Sequence, residues 1–535
     1  MGYESAKAQF ADWGVDTEAA IERLKDISIS VHCWQGDDVV GFENQTGASG
    51  GGIQATGNHP GRARNPDELR ADLEFAYSQI PGTHRLNLHA MYMDTDETPD
   101  RDEIEFSHFA PWVDWAKDQG IGLDFNPTFF AHAKADDNLT LSHPDKGIRD
   151  FWIEHGRRTR DIASQMGAEL GSPAVNNIWV PDGYKDIPID RMAARARLEA
   201  SLDDMLTEPK DNMLDAVESK LFGIGVEACT VGSHEFYLGY AIRKGTLLCL
   251  DMGHFHPTES IADKLSAVSL SMPKILLHVS RPMRWDSDHV ILLNDDILAM
   301  THELVSANLL GRTYIGLDFF DATISRTAAW IIGTRNMQKA VLQALLKPWD
   351  RLRAAEDTLD FSNRLVLTEE FKDLPFGAVW AEFCARNVAS TTPSASFLRR
   401  VCTFPRNSTI FRSGRLASNC DRRRRDDVPT VAPCARSSNP LADRETNASR
   451  TSSRGRYVSS NRPPGCSTGI SFIECTAISM EPSSNASSIS RVNRPLPPIS
   501  LRGRSWIASP VTLITQIAKT PCGRSKAAIN LSRVS

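Results

Sequence analysis

Eight short runs rich in apolar and β-branched residues recur along the first 320 positions, separated by stretches with helical spacing. The runs are Ile27–Trp34, His84–Met91, Ile121–Asn126, Asn177–Val180, Met213–Glu218, Thr246–Asp251, Ile275–Val279 and Tyr314–Phe319. Between them lie Pro66–Gln79, Phe109–Gln119, Ile148–Met166, Ile189–Met205, Ser260–Ser269, Asp295–Ser306 and Thr327–Leu346. A strand that returns to its neighbour through a helix pairs in parallel, so this alternation confines the chain to the α/β class. Eight repeats favour closure into a (β/α)8 TIM barrel over a doubly wound open sheet. The predicted architecture is that barrel, with a helical extension before the first run and further helices flanking it. A single barrel needs about 250 residues or more, which residues 1–390 supply.

Several of these runs end in residues that bind cations. LDMGHFHPTE (Leu250 to Glu259) carries Asp251 and His254, HVSRPMRWDSDH (His278 to His289) carries His278, Asp286 and Asp288, and GLDFFDA (Gly316 to Ala322) carries Asp318. Glu218 closes a fourth run. Barrel enzymes build their sites from the carboxyl ends of successive strands, so the topology predicts that these residues meet. Glu218, Asp251, His278 and Asp318 beside His254, Asp286 and Asp288 suffice for two cations. Hard oxygen ligands with a minority of imidazole suit Mn²⁺, Mg²⁺ or Co²⁺ better than a thiolate-bound structural zinc. His256 and His289 flank the ligand candidates and are expected to orient them, the alternative being ordinary surface residues. Lys220, two positions after Glu218, is placed to polarise a substrate oxygen or to pair with the carboxylates. Trp34, Phe129, Phe130 and Trp179 stand at other strand ends, where flat apolar surfaces suit a sugar pocket as well as a core.

Other features exclude whole classes. Gly47 to Gly61 is rich in glycine but matches no phosphate-cradling motif, so it reads as a loop or lid beside the pocket or as an ordinary insertion. The amino terminus lacks the pattern of a signal peptide and no apolar run is long enough to span a bilayer. Cys33, Cys229, Cys249 and Cys384 have no paired spacing and read as reduced thiols of a cytoplasmic protein.

The charge is divided along the chain. Residues 391–535 hold 21 Arg, 2 Lys, 4 Asp and 3 Glu, a net +16, which leaves −23 on residues 1–390. The basic segment is rich in Ser, holds six of the ten cysteines, and lacks sustained periodicity apart from pieces such as Val511 to Ile517. Such composition reads as an out-of-frame translation of a G/C-rich coding region. A nucleic-acid-binding tail is the alternative, but extended RS or RGG repeats are absent. Either origin predicts disorder. The expected division is a catalytic body at 1–386 and an Arg/Ser-rich tail at 387–535.

The segments HCWQGDDVVGFE (His32 to Glu43), GGIQATGNHPG (Gly51 to Gly61), LDMGHFHPTE, LLHVSRPMRWDSDHV, IGLDFFDA and AAWIIGTRNMQKA (Ala328 to Ala340) closely resemble the L-rhamnose isomerase family. The resemblance extends over about residues 1–386. It implies a barrel that converts L-rhamnose to L-rhamnulose with Mn²⁺, in the bacterial cytoplasm and as a homotetramer. By motif, it implies a catalytic cation on His254, Asp286 and Asp288. It implies a structural, substrate-holding cation on Glu218, Asp251, His278 and Asp318. Trp34, His89, Trp179 and Lys220 match positions that line the sugar.

Moving hydrogen between C1 and C2 then follows one of two routes. Cations on the sugar oxygens favour a 1,2-hydride shift, with Asp318 passing a proton between O1 and O2 and His89 assisting ring opening. An enediol route needs a carboxylate poised over both carbons. Two other functions compete with isomerisation. A metal-dependent endonuclease on the same barrel would need a basic face, which a body of net −23 argues against. The second is a chain left inactive or misassembled by its altered carboxyl-terminal segment.

Overall fold

The computed structural model describes residues 2–34, 41–43, 63–220, 228–256, 258–283, 288–321, 323–387 and 389. The Gly47–Gly61 loop, Asp286 and the basic tail with its expected disorder lie outside the described residues.

Eight strands, β1 (Ile29–His32), β2 (His84–His89), β3 (Gly122–Asn126), β4 (Ala174–Trp179), β6 (Met213–Glu218), β8 (Leu247–Asp251), β9 (Ile275–Val279) and β12 (Thr313–Leu317), form a closed barrel. Every neighbouring pair is parallel, and β1 closes the ring by pairing with β12 through Ile29↔Ile315 and Ser30↔Gly316. Closure leaves no edge strand with unpaired backbone groups. Two short antiparallel ladders sit among the loops: β5 (Gly183–Tyr184) with β7 (Cys229–Thr230), and β10 (Arg281–Pro282) with β11 (Asp288–His289).

Helices α1 (Tyr3–Asp12) and α2 (Thr17–Lys25) precede the barrel. The helices between strands are α3 (Pro66–Tyr77), α4 (Ala110–Gln119), α5 (Lys146–Leu170), α6 (Arg191–Met205), α7 (His234–Lys244), α8 (Ile261–Ser269) and α9 (Asp295–Ser306). After β12 come α10 (Arg326–Leu345), α11 (Trp349–Asp357), α12 (Phe361–Glu370) and α13 (Phe376–Arg386). Local chemistry sets their ends. The Asp16 carboxylate accepts from the Glu18 and Ala19 amides at the start of α2, and Asn65 caps α3 ahead of Pro66. Gly171 and Gly245 end α5 and α7 at φ of 61° and 73°, where a Cβ would be strained.

The long α10 lies against α3, α9 and α2, burying Trp330, Ile331, Met337 and Val341. The final helix α13 buries Val379, Trp380, Phe383 and Cys384 and meets α1. There the Arg386 guanidinium bonds the Glu18 carboxylate at 2.6 Å, and Lys7 reaches the same group at 2.9 Å. The helical extension expected before the barrel is thus fastened to the last described helix.

Candidate functional site

Parallel pairing puts the carboxyl ends of β6, β8, β9 and β12 side by side, and their terminal residues meet. Register sets Asp251 opposite His278 and His278 opposite Gly316, two positions before Asp318. Glu218, Asp251, His278 and Asp318 each offer a ligating atom within 4.8 Å of the others. His278 Nδ1 stands 3.3 Å from Glu218, 3.4 Å from Asp318 and 3.7 Å from Asp251. A second group, Asp251, His254 and Asp288, meets the same criterion. Asp251 therefore reaches both groups, whereas the sequence assigned it to one.

The turn after β8 makes this double reach possible. The Gly253 amide donates to Asp251 Oδ1 at 2.6 Å, and a Cβ at Gly253 would collide with the Asp288 carboxylate, 1.9 Å away. Asp288 is steadied by the Ser280 hydroxyl at 2.9 Å, and its carbonyl accepts from the Phe320 amide at 2.7 Å. That bond ties the β10–β11 ladder to the end of β12.

The charges are out of balance. Burial drives the Asp251 carboxyl well above its usual range; neighbouring His254 opposes this, while Asp288, Glu218 and Asp318 add to it. Burial also raises Glu218, but His278 and His254 outweigh it and hold this carboxylate low. Burial lowers His278, yet Cys249, Glu218 and Asp318 pull it well above the ordinary imidazole value. Asp251 Oδ2 and His278 Nδ1 are buried without an aligned hydrogen-bond partner among the described residues. Four carboxylates facing two imidazoles in a buried site make a donor set that divalent cations would balance.

An aromatic wall borders the cluster. Trp34 Nε1 donates to Asp318 Oδ1 at 2.7 Å, and its ring lies 4.2 Å from His89 and 5.1 Å from Phe320. Phe130 stands edge-on to Trp179 at 5.6 Å, and Trp179 stacks on His254 at 6.2 Å. The Lys220 ammonium lies 5.1 Å from the centre of the Trp179 ring. Burial lowers His89 to about 3, which keeps the imidazole neutral.

Trp34, His89, Trp179 and Lys220 thus gather at the strand ends with the ligand candidates. Of the two flanking histidines, His256 bonds Thr258 Oγ1 at 2.7 Å, and His289 pairs with Arg281 in the β10–β11 ladder. Three neighbours escaped the sequence reading. Asn177 Nδ2 donates to Glu218 Oε2 at 2.5 Å, Cys249 stands within ligating distance of Glu218 and His278, and His32 packs on Phe319 at 4.5 Å. Position two residues before a strand end was the available signal for Asn177 and Cys249, since alternation points both toward the barrel interior.

The L-rhamnose isomerase family model matches residues 1–408, past residue 386 where the resemblance was expected to end. L-rhamnose isomerase of Listeria monocytogenes serotype 4a (strain HCC23) is 59% identical over 387 residues, covering 72% of this chain and 92% of the relative. That of Pectobacterium carotovorum subsp. carotovorum (strain PC1) is 56% identical over 414 residues, covering 77% and 98%. Among solved structures, an L-ribulose 3-epimerase aligns over 62% of this chain and 97% of its own, at 11% identity and a TM-score of 0.38.

Proposed function

Since the chain belongs to the L-rhamnose isomerase family, it converts L-rhamnose to L-rhamnulose, and we propose that it does so at the cluster closing β6, β8, β9 and β12. The observation that carries this placement is the convergence of Glu218, Asp251, His278 and Asp318 from four strands. In this reading those four hold one cation, and His254, Asp288 and Asp286 hold a second, with Asp251 in reach of both. Mn²⁺ is the proposed ion, and Co²⁺ or Mg²⁺ suits the same oxygen-rich set. When bound, the cations supply the positive charge at O1 and O2 of the open-chain sugar that makes a 1,2-hydride shift accessible.

The chain's own residues do the rest. Trp34 fixes one oxygen of Asp318, leaving the carboxylate oriented to pass a proton between O1 and O2. Neutral His89 is able to take the ring hydroxyl proton and so assist opening. Lys220, held over Trp179, presents its ammonium to a sugar oxygen, while Trp34, Phe130 and Trp179 shield the reacting carbons from water. The cluster is rich in candidate cation ligands, which favours the hydride route over an enediol that needs a carboxylate poised over C1 and C2.

We further assign catalysis to residues 1–386 and none to 387–535, and place the protein in the cytoplasm as a homotetramer. No described helix is long and apolar enough to cross a membrane. Four buried, unpaired cysteines suit a reducing compartment. Phe361, Leu365 and Val366 on α12 are at least half exposed, an apolar face suited to contact between copies.

The test is ketose formation from L-rhamnose by the purified chain after chelation and again after Mn²⁺ is added. Turnover lost and then restored supports the cluster, and turnover indifferent to the chelator overturns it. With deuterium at C2, the label should appear at C1 of the product; its loss to solvent would instead establish the enediol route. The nucleic-acid and inactive-chain alternatives find no support among the relatives.

A further inference from the structure

The barrel interior is divided lengthwise. On one side Val175, Ala216, Leu247, Cys249 and Leu276 form an apolar cluster, with Leu214 and Tyr314 packed against it. On the β1–β3 side the interior is polar. There Ser30 Oγ donates to Asp124 Oδ2 at 2.6 Å, and Arg85 bonds the same carboxylate at 2.8 and 2.9 Å.

A cavity of about 330 Å³ runs between the two sides, lined by Ser30, Arg85, Asn87 and Asp124 and by Val175, Leu276 and Tyr314 of the apolar cluster. Its rim includes Asp26 and Ser28 before β1, Ser172 and Pro173 before β4, and Gly311 before β12, which places the mouth at the amino-terminal end of the barrel. Its inner end is lined by Asn177 and His278. Both touch the cluster from beneath, Asn177 through its bond to Glu218 and His278 through Nδ1. The barrel has room here because Gly316, between Ser30 and His278 in register, carries no side chain; a Cβ there would come within 3.1 Å of His278 Cδ2.

Ser30, Arg85, Asn87 and Asp124 on its wall offer the polar partners that ordered water needs. Asn177 Oδ1 is buried and has no hydrogen-bond partner among the described residues. We propose that the cavity is a water-filled shaft joining the amino-terminal face to the underside of the cation cluster, through which water exchanges while sugar covers the opposite mouth. The inference rests on the reading that the cluster holds cations.

The experiment uses the full chain loaded with Mn²⁺, whose paramagnetism speeds the relaxation of exchanging water protons. The alditol of L-rhamnose, which lacks the carbonyl needed for isomerisation, is added to saturation to cover the sugar side. The expected result is relaxation enhancement that survives the alditol in the native chain and falls severalfold in Gly311→Trp and in Ser28→Phe, two rim changes remote from the reacting cluster. Enhancement abolished by the alditol in the native chain, or unchanged in both rim variants, would overturn the shaft. Absence of any Mn²⁺-dependent enhancement before the alditol is added would overturn the cation cluster itself, and the shaft with it.

Discussion

Trp34 and Gly253 act on the site in opposite ways, one by reaching across it and the other by having nothing to reach with. Trp34→Phe keeps an aromatic ring, though a smaller one, and deletes the donor to Asp318. A hydrogen bond to a charged group contributes about 1.5–3 kcal/mol, so kcat should fall at least about tenfold with cation content unchanged. Steady-state kinetics beside elemental analysis separates this from loss of the site, which would remove the cations as well. Gly253→Ala drives a methyl group into the Asp288 carboxylate. Titration calorimetry should then show one cation equivalent bound as in the parent and the other lost or greatly weakened. At this scale the sequence is informative where chemistry is peculiar to a residue type, as in His278 and Asp318. It is silent on Asn177, because a side-chain amide in a strand carries no ligand signature. It is equally silent on the shared reach of Asp251, which depends on the turn after β8 as well as the register Asp251↔His278.

The elements were legible because each barrel strand is an apolar run broken by turn residues, and all eight runs coincide with strands. The fourth begins earlier than the run Asn177–Val180, at Ala174, where Ala174, Val175 and Asn176 pair with Met213, Leu214 and Asp215. Helix α7, bounded by Ser233 and Gly245, was not among the marked stretches. The two-residue ladders are too short for any periodicity to announce. One buried carboxylate organises the loops around the β5–β7 ladder. Asp182 accepts from the amide and hydroxyl of Thr140 at 2.9 and 2.6 Å and from those of Ser142 at 2.8 and 2.6 Å. Asp182→Ala strands these donors and should cost about 3 kcal/mol or more, read as a lower urea midpoint.

For the molecule as a whole, buried histidines set the response to acid. His155 accepts from the Thr128 amide at 2.9 Å and donates to the Arg101 carbonyl at 2.8 Å. Burial, with the Arg101 charge adding to it, lowers its pKa to about 3. His302 is lowered to about 3 by burial and by Lys347. Unfolding frees each to bind a proton near 6.5, so the unfolded chain takes up protons first as pH falls. Their contribution is complete above about 6.5 and is lost progressively toward 3, at about 1.4 kcal/mol per unit per group. The cation-free chain should lose urea resistance steadily between these limits, and His155→Gln should flatten the profile; a profile unchanged by that substitution would remove His155 from the account. The composition of the body, net −23, was readable as hostile to nucleic acid. How its ends are joined was not, since nothing local links Glu18 to Arg386.

That clasp and the β1–β12 seam have a consequence in time. Glu18 and Arg386 are 368 positions apart, and β1 finds its second neighbour only when β12 exists. A ribosome adding about 5–20 residues per second needs on the order of tens of seconds to bridge that interval. Throughout it, β1 and the first two helices have left the tunnel with one flank unmatched. The nascent chain therefore passes through a stage with an open seam, the kind of surface that chaperones are built to guard.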